Sequence, residues 1–89
     1  MNDNFIVDIT PLSDLENLLD LDLSFNQIIN IDPLANLTHL IHLNLFFNQI
    51  TDVTPLSNLM VLESLHLSYY YIEDFSPLDH LEDGIVRLH

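Results

Sequence analysis

The chain falls on itself when shifted by twenty-two residues, and no other feature narrows its folds as far. Leu18 to His39 reads LLDLDLSFNQIINIDPLANLTH, and Leu40 to Val61 reads LIHLNLFFNQITDVTPLSNLMV. Leu62 to Asp83 reads LESLHLSYYYIEDFSPLDHLED. A fixed period of this length marks a solenoid built from stacked copies of one supersecondary unit.

The spacing inside a unit describes that copy. Counted from Leu18, Leu40 and Leu62, leucine recurs at positions 1, 4 and 6. The alternation at 4 and 6 is strand periodicity, one side chain in and the next out. Position 9 is Asn26 and Asn48, whose side chains can turn back onto the backbone and suit a tight turn. Position 11 (Ile28, Ile50, Ile72) and position 14 (Ile31, Val53, Phe75) belong inside.

Asp32-Pro33, Thr54-Pro55 and Ser76-Pro77 follow. Asp, Thr and Ser are good helix N-caps, and Pro suits the first helical position. Leu34/Leu37, Leu56/Leu59 and Leu78/Leu81 then recur at a spacing of three, as in a short 3₁₀ or α turn with one face inward. Each unit is a strand, a turn, a short helical turn and a return. One copy cannot bury its own apolar edge, whereas a stack can.

The pattern LxxLxLxxNxIxxIxPLxxLxx resembles the leucine-rich repeat family, in the twenty-two-residue bacterial class typified by internalins. The resemblance covers nearly the whole chain. It implies an α/β solenoid: an arc with a short parallel β-sheet on the concave face and 3₁₀ or short helical turns on the convex side. It also implies a non-catalytic role in binding other proteins, and it brings no catalytic residue set with it.

The units divide the chain into one domain, with a partial unit at 1–17, full units at 18–39, 40–61 and 62–83, and a partial strand at 84–89. The first residues place Met1 at a leucine position, Asn4 at position 9, and Thr10-Pro11 at the cap. No cationic leader opens the sequence and no apolar run has the length of a membrane span, so the expected location is cytoplasmic, in a host cell where the protein acts on one. Tyr70 replaces the expected Asn of the third unit, so that turn is expected to be altered. Near the end, Gly84 occupies a leucine position and Leu88 falls one residue late for position 4, which reads as a bulge or a lost register. No capping helix is evident at either end, and open sheet edges invite pairing. Self-association as a homodimer through a terminal edge is therefore expected, or cover of that edge by a partner. A start in mid-repeat also fits a piece of a longer array.

The surface is set by charge. Fourteen acids face one Arg, no Lys and no Cys, for a net charge of −13. Such a field repels nucleic acid and anionic membrane and attracts basic surfaces. Asp3, Asp8, Asp14, Glu16, Asp20, Asp22 and Asp32 form one group of acids. Asp52, Glu63, Glu73, Asp74, Asp79, Glu82 and Asp83 form the other. Thiol chemistry, thiolate metal sites and disulfides are excluded, and no Gly-rich loop is present to cradle phosphate.

Stacking sets residues in columns spaced by about 4.8 Å. Position 3 is Asp20, His42 and Ser64, and position 5 is Asp22, Asn44 and His66, all outward from the sheet. Position 8 is Phe25, Phe47 and Tyr69. An aromatic row there is a frequent spacer in such repeats, so packing is its first reading, whereas Phe46 and Tyr70 are harder to place inside. Position 13 is Asp8, Asn30, Asp52 and Asp74, which reads either as a solvated face or as an acidic binding row. His42 and His66 with Asp20 and Asp22 are ligand types that zinc accepts, but adjacent columns do not converge, and no metal or cofactor is assigned. Acid pairs such as Asp20/Asp22 are expected in so acidic a chain, and no enzyme activity is assigned.

Two functions remain. The first is an acidic inhibitor that engages a basic protein surface through Asp20, Asp22, His42, Asp52, Glu63, His66, Glu73 and Asp74. Phe46, Phe47, Tyr69, Tyr70 and Tyr71 would hold the complex. Its sharper form is a nucleic-acid mimic of the kind found among phage anti-CRISPR proteins, with a nucleic-acid-binding protein as partner. The alternative is a structural or adhesion-type fragment of a longer internalin-like protein.

Overall fold

The computed structural model describes residues 4–88; Met1 and Asp3 lie outside them. Four strands, β1 (Asp20–Asp22), β2 (His42–Leu45), β3 (Ser64–Leu67) and β4 (Val86–Leu88), form one parallel sheet in the order β1-β2-β3-β4. Short 3₁₀ turns at Thr10–Leu12, Asp32–Leu34, Thr54–Asn58 and Ser76–Leu78 stack along the other side. Among the described elements, each strand or turn touches only those of the units beside it.

The core is the set of repeat leucines and isoleucines. Leu21, Leu23, Leu43, Leu45, Leu65 and Leu67 point inward from the strands and are buried. Ile28, Ile50 and Ile72 meet them from position 11, and Ile31, Val53 and Phe75 from position 14. Leu34, Leu37, Leu56 and Leu59 close the back. The three full units pair in the twenty-two-residue register, Leu21 with Leu43 and Leu43 with Leu65.

Asn26 and Asn48 do more than close their own turns. Asn48 Nδ2 donates to the Leu45 carbonyl at 3.3 Å and to the Leu23 carbonyl of the preceding unit at 2.9 Å. Its Oδ1 accepts from the Ile28 N–H at 3.0 Å. Asn26 Oδ1 accepts from the Ile6 N–H in the same way. Both amides are buried, and the bonds to Leu23, Ile28 and Leu45 satisfy backbone groups that water does not reach. The ladder stops at Tyr70, which is 77% exposed. The turn there changes as the sequence suggests. Phe25 N–H reaches the Phe46 carbonyl at 2.9 Å, but Phe47 N–H reaches the Ser68 hydroxyl instead, at 2.7 Å. Phe25 and Phe47 both have φ 59, and Tyr69 does not share that conformation.

Two sequence expectations are corrected. Asp32, Thr54 and Ser76 are not N-caps. They are the first residues of their 3₁₀ turns, whose caps are Ile31, Val53 and Phe75, with no side-chain cap bond. The carbonyls of those caps accept from Leu34, Leu56 and Leu78, each at 2.9 Å. The side-chain acceptor comes from one residue further back, at position 13. Asp52 Oδ1 accepts from Thr54 N at 2.9 Å and from Thr54 Oγ1 at 2.6 Å. Asp8 treats Thr10 identically, while Asn30 and Asp74 accept from Asp32 N and Ser76 N. Position 14 is apolar and faces the core, so a polar cap has to reach over it.

The second correction concerns the last strand. Val86 pairs with Leu65, Arg87 with His66 and Leu88 with Leu67. The interval is twenty-one residues, so Leu88 takes position 6 rather than a late position 4 and the strand keeps its pairing. Gly84, at φ +89, stands in the shortened connection. That conformation is open to glycine and strained for other residues.

Candidate interaction face on the sheet and its aromatic margin

The outward residues of the sheet stand in two columns. Asp20, His42 and Ser64 are paired neighbours in one, and Asp22, Asn44, His66 and Arg87 in the other. Asp20, Asp22, His42, Asn44, Ser64 and His66, with Leu43, line a shallow depression of about 270 Å³. Ser64 Oγ lies 3.2 Å from His66 Nε2. Among the described residues no three His, Asp or Glu side chains are grouped to hold a metal ion.

Asp22 is fixed within this face. Its Oδ1 accepts from Ser24 N at 3.0 Å and Ser24 Oγ at 2.6 Å. Partial burial pushes its carboxyl up, but the two Ser24 bonds and the charge of His66 outweigh this and hold it below the ordinary carboxylate value. Asn44 makes the same short bridge to Phe46 N–H at 3.0 Å.

At the C-terminal ends of the strands the face is bordered by rings. Phe25 and Phe47 stack with centroids 4.5 Å apart and planes 18° from parallel. Phe46 stands edge-on to Phe47 at 5.9 Å and to His66 at 4.7 Å. Tyr69 and Tyr70 form a second stack at 5.0 Å. The position-8 row therefore packs ring on ring, yet stays half in solvent: Phe25 is 49% and Phe47 51% exposed. It is not the buried spacer that the sequence favours.

The structure thus brings together Asp20, Asp22, His42 and His66, with Phe46 and Phe47 at their margin. Tyr69, Tyr70 and Tyr71 continue the margin and are exposed. Asp52 and Asp74 stand apart from the sheet, at the entries of their 3₁₀ turns, with exposed Glu73 beside Asp74. Hydrogen bonds from the Thr54 hydroxyl and N–H hold Asp52 below the ordinary carboxylate value, and those from Ser76 N–H and hydroxyl do the same to Asp74. Glu63 is exposed just before β3, its N–H bonded to the Ile41 carbonyl at 2.8 Å. Phe25 and Arg87 also belong to the face, beyond the residues that the sequence singles out. Phe25 was signalled by its column with Phe47. Arg87 was hidden by the twenty-two-residue count, which puts it at an inward position.

A family model described as leucine-rich repeats in two copies matches residues 38–80. Internalin C2 of Listeria monocytogenes is 40% identical over 94% of this chain, with a TM-score of 0.76. An internalin of the same organism, inlF, is 39% identical over 98% of this chain, with a TM-score of 0.85. The chain spans 47% of the first and 27% of the second. Among curated proteins no sequence match emerges. Repeat spacing, sheet topology and these likenesses agree: the chain belongs to the leucine-rich repeat family, with twenty-two-residue units of the internalin type.

Proposed function

We propose that the chain is a non-catalytic protein-binding module of an internalin-like array, holding its partner on the sheet face and the aromatic margin beside it. The observation that carries this reading is the contiguity of the two. Asp20, Asp22, His42 and His66 line one depression, and Phe46 joins His66 to the ring stack. Polar groups that orient and rings that anchor, side by side on a rigid sheet, are what a protein interface needs. The likeness to internalins, of which the chain spans only a part, supports the module reading over a free-standing inhibitor.

The test is capture of partners from source-cell extract on the immobilised chain, at low and high salt, beside a His42→Ala/His66→Ala variant checked for folding by circular dichroism. A partner held by the parent and lost by the folded variant supports the reading. Equal capture by both removes it.

The net charge of −13 keeps a second reading in view. In it the chain is a cytoplasmic inhibitor of a basic, nucleic-acid-binding protein, acting by mimicry as anti-CRISPR proteins do, with homodimer formation through a terminal edge. Against it stands the use of Asp8, Asp22, Asp52 and Asp74 as turn acceptors, which gives those acids a local purpose. A partner that is basic and is released as salt rises would favour it. Sedimentation at increasing concentration would test the dimer.

A further inference from the structure

We propose that the ring margin at the strand ends is a docking strip for an arginine-bearing segment of the partner protein. The inference deepens the reading above and rests on it.

The backbone gives the first argument. Phe25 and Phe47 both sit at φ 59, in the left-handed region that bulky side chains avoid. Asn or Gly would occupy that turn without strain. The core does not explain the choice of Phe, because both rings are half exposed. The rings pack on each other rather than into the core, and strain kept at such a surface stack points to a use for the rings themselves.

The rings also form a surface rather than a scatter. The Phe25–Phe47 stack and the Tyr69–Tyr70 stack are each within 18° of coplanar, and Phe46 stands edge-on to Phe47. Within each stack the rings cover part of one another's faces, and the exposure of Phe25, Phe47, Tyr69 and Tyr70 leaves the rest open to solvent at the strand ends.

Charge then selects the occupant. Asp20 and Asp22 line one depression with His66, which Phe46 meets edge-on, and the chain carries a net charge of −13 with no Lys. Ring faces are the negative part of the aromatic quadrupole, and flanking carboxylates reinforce them. A guanidinium fits best. It is planar, weakly hydrated, stacks on rings and binds carboxylates in pairs, whereas an ammonium is a strongly hydrated point charge.

The experiment titrates the chain with a short synthetic peptide alternating arginine and glycine, and with its lysine counterpart of equal length, following ring and amide NMR signals. The expected result is shifts centred on Phe25, Phe47, Tyr69 and Tyr70, with the arginine peptide bound roughly tenfold more tightly than the lysine one. Phe47→Asn keeps a residue at ease in the left-handed turn and should weaken the arginine peptide by about the same factor. Phe47→Leu provides a second, apolar variant without the ring and should behave alike. Equal binding of the two peptides, or undiminished binding by both variants, overturns the proposal. So do ring shifts produced by a maltooligosaccharide instead of the peptide, or by raising the concentration of the chain alone. If a captured partner is lost from the His42→Ala/His66→Ala variant but not from Phe47→Asn, the docking strip fails and the module reading stands.

Discussion

Asn48 Nδ2 donates to the carbonyl of Leu23, twenty-five residues earlier and one unit away, at 2.9 Å. With Oδ1 accepting from Ile28 N–H, one buried side chain ties two copies of the repeat together. Replacing Asn48 by Ala leaves a buried carbonyl and a buried N–H without these bonds, each worth about 1–3 kcal/mol when orphaned. Asn48→Ala is expected to lower stability by about 2–4 kcal/mol in urea unfolding, a large share of what a small domain possesses. Asn26→Ala should cost less, because its acceptor bond serves Ile6, which is only partly buried. Equal losses at both sites would count against this account.

Tyr70 offers the reverse experiment. It holds the third Asn position, is mostly exposed and stacks on Tyr69 at the surface. Tyr70→Asn is expected to extend the ladder toward Ile50 and raise stability by about 1 kcal/mol, the net value of one good hydrogen bond. A thermal midpoint at or below that of the parent would show that the altered turn cannot accept the ladder.

The carboxylates that accept hydrogen bonds two residues on set a pH dependence with a definite sign. Asp8, Asp22, Asp52 and Asp74 all have folded values below the ordinary one. Their stabilisation is therefore complete above the unfolded value of about 4 and is lost as pH falls through the lower folded values. Unfolding midpoints should hold steady down to about pH 5 and fall below pH 4. Asp52→Asn should keep the turn, since Asn30 already caps its own with an amide, and should flatten part of that decline. Asp52→Ala should lower the midpoint at neutral pH. The same logic makes Asp52→Lys an unsuitable probe of binding, because it breaks a turn as well as reversing a charge.

Gly84 is expected to resist substitution although its surroundings are empty. Apart from its two chain neighbours, nothing lies within 4 Å of where a Cβ would be placed, so a clash with the rest of the fold does not decide the matter. Its φ of +89 does. Gly84→Ala should cost about 1–2 kcal/mol from backbone strain alone, measured by denaturant unfolding. A neutral result would mean that the connection to β4 relaxes into another conformation.

Leu45→Ala should destabilise by about 2–5 kcal/mol, because the side chain is fully enclosed between units. Leu88→Ala, on a half-exposed edge strand, should stay within about 1 kcal/mol. Similar losses at the two positions would contradict the core described here.

Much of this fold can be read without coordinates, because the period of twenty-two places Leu43, Leu45, Ile50, Val53, Leu56 and Leu59 inside one unit after another. Residues that act across units are harder to read. Asn48 looks like a turn residue, and its bonds to Leu23 and Ile28 follow only from stacking. Asp52 looks like free charge, because the Thr54-Pro55 pair draws the cap to itself. Arg87 is displaced by one missing residue that counting cannot place. The ring margin is half legible: Phe46 and Tyr70 fit no inward position, while the column of Phe25 and Phe47 reads as packing and its exposure follows only from the structure.

Neighbour-only contact between units bears on how the molecule yields to force. Pulled at its ends, it has no long-range clasp to break at once. Units should peel off singly, each twenty-two-residue unit releasing roughly 75 Å of extended chain, less the few ångströms it spanned when folded. The sawtooth should begin at the C-terminal side, where the asparagine ladder no longer ties one unit to the next. A domain of this kind is an extensible tether as much as a platform.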